Sequence, residues 1–200
     1  LVFENGIVRN EILVIFLAEL NGLKVWQTDV GNAYLEAKTK EKVYVIAGPE
    51  FGELEGHIFV INKALYGLKT SGLRWHERFA DVLRHMEFFP CRAEPDIWMK
   101  DCGTHYEYIA VYCDDLTIAS LNPKAITDTL EHVHKFKLKG TGDLNFLLGC
   151  DYFRDEDNTL CMAPKKYTIK MRDTFFRLFG HNPKKFRSPL EPNDNPELDT

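Results

Sequence analysis

The sequence predicts an α+β domain in which helices cover an antiparallel sheet. Short apolar runs with the period-two alternation of strands occur among segments with helical periodicity. The two kinds of segment do not alternate strictly, and the clearest strand pairs are neighbours in the chain, which favours hairpins over parallel βαβ units. With 200 residues, 44% of them hydrophobic, the chain is long enough to bury a substantial core.

The N-terminal part begins with a predicted helix over residues 9–20, which Asn21 and Gly22 end. Its apolar run, 12–18, is much shorter than the roughly 20 residues that span a bilayer, so we expect a buried helix. Strands are predicted at 24–30, 42–47 and 57–64, with a turn and short helix at 31–37 and a loop at 48–56. The helix predicted at 72–89 has one continuous apolar face, which we expect in the core: Trp75, Phe79, Val82, Leu83 and Met86.

The C-terminal part contains a predicted strand at 96–100 and two more at 107–112 and 116–120, joined through Cys113, Asp114 and Asp115. Asn122 is predicted to cap a helix that has Pro123 at its first position and runs to about Phe136. A hairpin of 144–153 with 160–163 is expected before a helix at 165–179. The predicted domain covers 1–187, and the acidic, proline-rich residues 188–200 are expected to form a linker or tail.

Charge and cysteine content restrict the function classes. The five cysteines form no CxxC pair, which argues against a zinc site and favours reduced intracellular thiols. The first 30 residues have no secretory signal pattern. The formal net charge is −5, yet residues 135–187 carry twelve basic and six acidic residues. That stretch could face phosphates, and the alternative is an ordinary solvated helix face.

Two adjacent aspartates, Asp114 and Asp115, lie inside an otherwise apolar, β-branched region. One interpretation is a polar hairpin tip, since aspartate is a good turn residue. However, the preceding strand is apolar on both alternating faces, which predicts cover on both sides. Two carboxylates placed so close together in a partly buried site are costly unless a cation compensates them. A third carboxylate, Asp29, ends a separate predicted strand.

Three carboxylates that converge at strand ends would form a hard-oxygen site suited to Mg²⁺. Two such ions can hold the attacking and leaving oxygens of a phosphoryl transfer in line. The 85 residues between Asp29 and Asp114 mean that the sequence alone does not show that these side chains meet.

Four motifs occur in a specific order: QTDVGNAYLEA (27–37), ALYGLKTSGLRW (64–75), YCDD (112–115) and FLLGCDYF (146–153). In this order and spacing they resemble reverse transcriptases, and most closely those of Ty1/copia-type LTR retrotransposons. The resemblance covers about residues 8–190. It implies a right-hand polymerase fold, with a palm and part of the fingers. The sequence departs from the family's pattern at Cys113, where valine is usual, and at Gly72, where proline is frequent.

The resemblance implies that Asp29, Asp114 and Asp115 are the catalytic, metal-binding residues and hold two Mg²⁺ ions, with Mn²⁺ as an alternative metal. It also implies a nucleotide site formed by Val30, Asn32, Ala33, Tyr34, Tyr66, Gly67 and Lys69. In that site the N–H groups of Asn32 and Ala33 would meet the incoming triphosphate. The Tyr34 ring would lie where a ribose 2′-OH would be and so exclude ribonucleotides, and the alternative is a core tyrosine.

The same resemblance assigns the primer and template to the C-terminal part. Leu148, Gly149 and Cys150 match the hairpin that holds the primer 3′ end, although Gly149 is equally well explained as a bulge glycine. Lys165 and Lys166 begin a basic helix that could follow the duplex backbone.

The implied partners are an RNA template, a DNA or RNA primer, a dNTP, and the integrase and RNase H regions of one polyprotein, with no membrane. We expect an intracellular protein, in a cytoplasmic virus-like particle or in the nucleus. Related enzymes grip the triphosphate with Lys and Arg from a fingers hairpin upstream of residue 1, so the chain is expected to be N-terminally truncated.

The implied function is RNA-directed DNA polymerase, which adds dNMP to a primer 3′-OH. One alternative is a degenerate, inactive retroelement fragment that only binds nucleic acid. A second is another palm-type nucleotidyl transferase, such as a nucleotide cyclase.

Overall fold

A computed structural model describes the backbone of residues 5–184 and the side chains of residues 10–184. It divides the chain into two compact units, Leu1–Leu144 and Asn145–Thr200, which are described separately below. The tail predicted at 188–200 lies outside the described residues. None of the described helices has the length and apolar composition needed to cross a membrane.

The first unit is built on a six-stranded sheet. In space the strands follow the order β4-β5-β6-β7-β1-β8, and every adjacent pair is antiparallel. The strands are β1 (Lys24–Val30), β4 (Phe89–Pro90), β5 (Ile97–Asp101), β6 (Tyr106–Tyr112), β7 (Asp115–Ser120) and β8 (Leu138–Asp143). Strands β4 to β7 pair with their neighbours in the chain, whereas β1 is inserted between β7 and β8 from far upstream.

Both faces of this sheet are buried. On one face, Ile109, Leu116 and Ile118 pack against the helices α2 (Ser71–His85) and α3 (Pro123–His132). On the other face, Tyr108 and Ala119 pack against α1 (Asn5–Leu20). The period-two alternation of β6 and β7 therefore sends apolar residues into two cores. The predicted α+β class and the antiparallel sheet under helices are confirmed.

Helix α1 is buried on one face only, so the prediction of a buried helix holds for that face. Val14 and Ala18 are buried against the sheet. Ile12 and Leu13 are exposed, and Phe16 is 57% exposed. A run of consecutive apolar residues winds around the whole helix, whereas the sheet covers only one side of it.

Helix α2 carries the predicted apolar face into the core, but it ends at His85 rather than at residue 89.

Helix α3 ends at His132 rather than near Phe136, and Asn122 makes no side-chain cap bond. The reason for the early end is Lys135, whose φ of +63° turns the chain back. Phe136 then enters the core, where its ring lies 5.7 Å from the rings of both Trp75 and Phe79.

A separate two-stranded sheet pairs β2 (Lys38–Ile46) with β3 (Ile58–Lys63). The segment between them was predicted as a loop, but it contains a 3-10 helix at Pro49–Leu54. Proline at its first position favours this start because proline has no N–H to satisfy.

The second unit contains a three-stranded sheet and one helix. Its strands are β9 (Phe146–Leu147), β10 (Cys150–Arg154) and β11 (Leu160–Ala163), in the order β11-β10-β9, and the helix is α4 (Lys165–Phe179), as predicted. The strand predicted at 144–153 is split, because Leu148 and Gly149 have φ of +49° and +83°. Two successive positive φ angles make the tight turn that reverses β9 into β10.

The aromatic core of the first unit predicts a large stability difference between two phenylalanines. Phe79 is 2% exposed and Phe89 is 65% exposed. We expect Phe79→Ala to lower the free energy of unfolding by about 3–5 kcal/mol, and Phe89→Ala by about 0.5 kcal/mol or less. Urea unfolding of both variants measures the difference. Equal losses would contradict the packing described here.

Candidate active site

Three aspartates meet where β1, β7 and the turn before β7 come together. Asp29 on β1 is the cross-strand partner of Asp115 on β7. Asp114 lies directly before Asp115 in the turn that joins β6 to β7. All three side chains are half-buried. The structure therefore brings together carboxylates from positions 86 and 85 residues apart in the chain.

Hydrogen bonds fix the backbone of that turn from two sides. The Trp75 Nε1–H on α2 donates to the Cys113 carbonyl at 2.7 Å. The Val30 N–H, at the end of β1, donates to the Asp114 carbonyl at 2.7 Å. Cys113 has a φ of +52°, which non-glycine residues adopt only at a cost of about 1–3 kcal/mol. The two bonds hold this costly conformation in place.

Burial and the neighbouring carboxylates raise the pKa values of Asp29 and Asp115. Burial, and then the charges of Asp114 and Asp29, hold the pKa of Asp115 above its ordinary value. The pKa of Asp29 is also raised, by burial first and by Asp114 second, while Lys139 offsets part of the effect. Such a cluster favours cations, because a bound cation relieves both the repulsion and the loss of solvation.

Lys139 is a site residue that sequence analysis did not single out. It is the β8 partner of Asp29, next to an irregularity in the β1–β8 register. Gly31 directly follows β1 and lies against the segment around the start of β8. A Cβ on Gly31 would lie 2.9 Å from the Lys139 Cε and 3.1 Å from the Lys137 carbonyl oxygen. The Gly31 N–H donates to that same oxygen at 2.8 Å. The glycine thus permits the close approach of β8 that brings a cation beside Asp29.

Glu11 is a fourth carboxyl group near the aspartates that sequence analysis did not single out. It lies on α1, is 2% exposed, and approaches Thr117 on β7. Burial is the main cause that raises its pKa from 4.5 to about 7, and Asp115 adds to this. Among the described residues, neither Glu11 Oε2 nor Thr117 Oγ1 has a hydrogen-bond partner. Its position directly before the apolar run 12–18 was the indication in the sequence.

The residues predicted to bind the nucleotide follow β1 and precede α2. Asn32 adopts a left-handed conformation with a φ of +56° and begins a 3-10 helix at Ala33–Glu36. The Tyr34 ring lies 4.4 Å from the Tyr66 ring, centroid to centroid. The pKa of Tyr66 is raised by burial and then by Asp114 and Asp29, and that of Tyr34 chiefly by Cys113.

Both tyrosines therefore lie beside the acidic turn. A cleft of about 350 Å³ borders Tyr34, Trp75 and Cys113. Gly67 has a φ of +95°, and Lys69 is exposed. The assigned nucleotide roles of these residues stay predictions.

The five residues predicted to contact primer or template all lie in the second unit. Leu148, Gly149 and Cys150 form the β9–β10 turn and the start of β10. The Lys165 Nζ lies 3.6 Å from the centre of the Phe153 ring. The Lys166 Nζ lies 3.4 Å from Asp151 Oδ1, so this lysine already has an intramolecular partner. Their nucleic-acid roles also stay predictions.

Comparison with protein families identifies the fold that holds these aspartates. Residues 2–186 match the family described as reverse transcriptase (RNA-dependent DNA polymerase). This chain belongs to the reverse transcriptase family. Within that family it is a domain of the Ty1/copia type. Reverse transcriptases use divalent metal ions, which fits an acidic cluster of this kind.

Relatives of this reverse transcriptase domain come from plant and yeast transposons. It is 26% identical to the retrovirus-related Pol polyprotein from transposon RE1 of Arabidopsis thaliana, over 72% of this chain and 10% of that protein. It is 26% identical to a putative transposon Ty5-1 protein of Saccharomyces cerevisiae, over 71% of this chain and 47% of that protein. It is 37% identical to the yeast transposon Ty1-DR4 Gag-Pol polyprotein, over 64% of this chain and 8% of that protein. The domain thus spans less than half of each of these relatives.

The buried Glu11 predicts a pH-dependent stability. Its pKa is about 7 in the folded state and 4.5 when solvated, so folding favours the protonated form. The stability associated with this proton is complete below pH 4.5 and is lost as the pH rises through about 7. Relative to Glu11→Gln, the wild type should therefore lose about 3 kcal/mol of unfolding free energy between about pH 4 and pH 8.

Chemical unfolding in EDTA at several pH values measures this difference. Glu19→Gln, at an exposed position on the same helix, is the matched control for the loss of one carboxyl group. A difference that is constant with pH for Glu11→Gln would show that this carboxyl group is not held protonated.

Proposed function

We propose that this domain catalyses RNA-templated addition of dNMP to a primer 3′-OH, with Asp29, Asp114 and Asp115 as the metal-binding residues. The observation that carries the proposal is the pairing of Asp29 with Asp115 beside Asp114, in a chain of the reverse transcriptase family. The substrates would be an RNA template, a DNA or RNA primer and a dNTP. The reaction would take place inside the cell, within a polyprotein that also carries integrase and RNase H regions.

The donor set suits two Mg²⁺ ions, or Mn²⁺ in their place. Carboxylate oxygens are hard ligands, and the three groups share the end of one strand pair. Burial first, and then the neighbouring carboxylates, raise the pKa values of Asp29 and Asp115, and Lys139 offsets part of the rise at Asp29. When bound, such ions polarise the reacting phosphate and stabilise the charge that develops on its oxygens.

The chain's own contribution is positioning. Trp75 and Val30 would keep the Asp114 backbone fixed through the carbonyls of the turn. Gly31 admits β8, so that Lys139 can supply a fixed positive charge beside Asp29. A site whose charges are held in place before the substrate arrives needs little reorganisation during the reaction.

In polymerase terms, the six-stranded sheet with α1, α2 and α3 corresponds to the palm. The β2–β3 hairpin with its 3-10 helix corresponds to part of the fingers. Both assignments are supported by family membership and by the place of the aspartates on β1 and β7.

The incoming nucleotide would lie beside the Tyr34–Tyr66 pair. Tyr66 supports the Tyr34 ring at 4.4 Å, and Gly72 lies near the Tyr34 hydroxyl, where an added Cβ would make an ordinary contact at 3.8 Å. A ring held in this way would clash with a ribose 2′-OH. The N–H groups of Asn32, the N-cap residue, and of Ala33, the first residue of the 3-10 helix, have no partner within that helix and are suited to phosphate oxygens. Gly67 and Lys69 would form the remaining part of the nucleotide site.

Primer contacts would come from the second unit. The Leu148–Gly149 turn includes a glycine with a φ of +83°, and the absence of a side chain there suits close approach to a nucleic-acid strand. Lys165 and Cys150 would lie near the duplex. Lys166 could contact a phosphate only by giving up part of its interaction with Asp151.

Asp114→Asn tests the catalytic assignment. Extension of an oligo(dT) primer on poly(rA) with Mg²⁺ should fall by about a thousandfold or more, because one of three fixed charges is removed. Asp157→Asn, at an exposed loop position, is the matched control and should leave the rate unchanged. Extension by Asp114→Asn at the wild-type rate would show that the roles are wrong.

Mn²⁺ binding, measured by calorimetry, separates the proposal from its main alternative. The wild type should bind Mn²⁺ at least about tenfold more tightly than Asp114→Asn. A wild-type chain that binds primer–template but neither binds Mn²⁺ nor extends the primer would be an inactive nucleic-acid-binding fragment.

Tyr34→Ala tests the sugar assignment. Removing the ring should increase ribonucleotide incorporation relative to deoxyribonucleotide incorporation by about tenfold or more, because a steric contact worth roughly 1–3 kcal/mol is lost. Single-nucleotide kinetics with dTTP and UTP measure the ratio. Tyr44→Ala on β2 serves as the control. An unchanged ratio would place Tyr34 in the core rather than under the sugar.

A further inference from the structure

The turn between β5 and β6 brings three different metal-ligand types together. A thiol sulfur from Cys102, a ring nitrogen from His105 and a carboxylate oxygen from Glu107 all lie within 4.8 Å of one another. These residues are outside the acidic site described above.

The local fold explains why these three side chains meet. The Cys102 N–H donates to the His105 carbonyl at 2.9 Å, so the two residues face each other across a tight turn. Gly103 has a φ of +81°, and its N–H donates to Asp101 Oδ1 at 2.8 Å, which closes the turn. His105 directly precedes β6 and Glu107 is the second residue of that strand, so the two side chains lie close together where the turn enters the sheet.

His105 is already arranged as a ligand. Its Nδ1 lies 3.0 Å from Thr104 Oγ1. With the proton on Nδ1 and donated to that hydroxyl, Nε2 carries a free lone pair. Nε2 is buried, and among the described residues it has no hydrogen-bond partner. Metal-binding histidines typically engage one ring nitrogen in such a bond and leave the other for the ion.

The Glu107 carboxylate is also held in place, by a hydrogen bond from the neighbouring strand β7. Its Oε1 accepts a short hydrogen bond from the Ser120 hydroxyl on β7. The Ser120 oxygen in turn accepts from the Asn122 N–H at 2.9 Å, so the carboxylate is part of an ordered chain of bonds. Lys100, on the neighbouring strand β5, donates to the Met86 carbonyl at 3.1 Å and pairs with Glu87 Oε2 at 3.0 Å.

We propose that Cys102, His105 and Glu107 form a Zn²⁺ site. One thiolate, one imidazole and one carboxylate are all zinc ligands, and water would complete a tetrahedron. The thiolate selects against Mg²⁺, so this site and the aspartate cluster take different metals. The spacing Cys-x2-His-x-Glu differs from a CxxC pair. The absence of CxxC pairs therefore argued against zinc, although this site contains only one cysteine.

The site lies at the far end of β6 from the aspartates. Five residues separate Glu107 from Tyr112, which corresponds to about 17 Å along a strand. Zinc would therefore not touch the polymerase substrates. It would join the β5–β6 turn to Ser120 on β7 through Glu107, and so stabilise three adjacent strands of the sheet.

Co²⁺ titration of the reduced chain, with Mg²⁺ in excess, tests the site. A single Co²⁺ should bind and give a near-ultraviolet thiolate-to-cobalt absorption band, and added Zn²⁺ should abolish the band. Cys102→Ser should lose the band, and His105→Ala should weaken binding about tenfold or more. Cys161→Ser is the matched control, since its thiol lies beside the Asp155 carboxylate without a histidine, and it should keep the band.

A second measurement identifies the thiol directly. Zn²⁺ should slow alkylation of Cys102 about tenfold or more, read by mass spectrometry, while Cys161 in the same sample is unaffected. A metal held instead by Asp128, Glu131 and His132 on α3 would give neither the thiolate band nor protection of Cys102. The proposal is overturned by a cobalt band that survives in Cys102→Ser, by no saturable band in the wild type, or by equal alkylation of Cys102 with and without Zn²⁺.

Discussion

Repulsion among three carboxylates is the constraint on which the rest of the candidate site depends. Asp29, Asp114 and Asp115 share the end of one strand pair, and burial makes their mutual charge more costly. A free turn would relax by moving these groups apart. Here the indole of Trp75 and the amide of Val30 hold the turn backbone, and the core around Trp75 holds the indole. The packing of α2 thus maintains an electrostatic arrangement that the turn alone would not keep.

The sheet separates two kinds of ligand chemistry along one strand. Near the C-terminal end of β6 three carboxylates lie close together, and at its N-terminal end a sulfur, a nitrogen and an oxygen ligand do. Hard and borderline-soft ions are sorted by ligand type. Two metals could therefore be bound by one small domain without competing for the same position.

Local features of this fold could be predicted from the sequence, and long-range ones could not. The alternation in β6 and β7 and the apolar face of α2 identified these elements because each pattern is contained in one segment. Asp29 was placed at the end of its strand, but its pairing with Asp115 depends on contacts across 86 residues. Lys139 could not be singled out, since it is one of three alternating lysines, at 135, 137 and 139, and such a run usually indicates only solvent exposure.

Element ends were harder to predict for a different reason. Helix α3 stops where Lys135 adopts a left-handed conformation, although glycine is the residue expected there. Burial of Phe136 against Trp75 and Phe79 stabilises this conformation of Lys135. The conformational preferences of the neighbouring residues do not predict this burial. Leu148 likewise has a positive φ. The apolar residues around it had predicted a continuous strand at this position instead of a turn.

The position of β1 between β7 and β8 has a consequence for biosynthesis. The hairpins of β5, β6 and β7 can close soon after they leave the ribosome, because their contacts are local. β1 is made first but pairs last, since its neighbours are translated 85 or more residues later. At 5–20 residues per second this delay is roughly 4–20 s. During that interval the strand bearing Asp29 has two open edges, and annealing with another nascent copy competes with completion of the sheet.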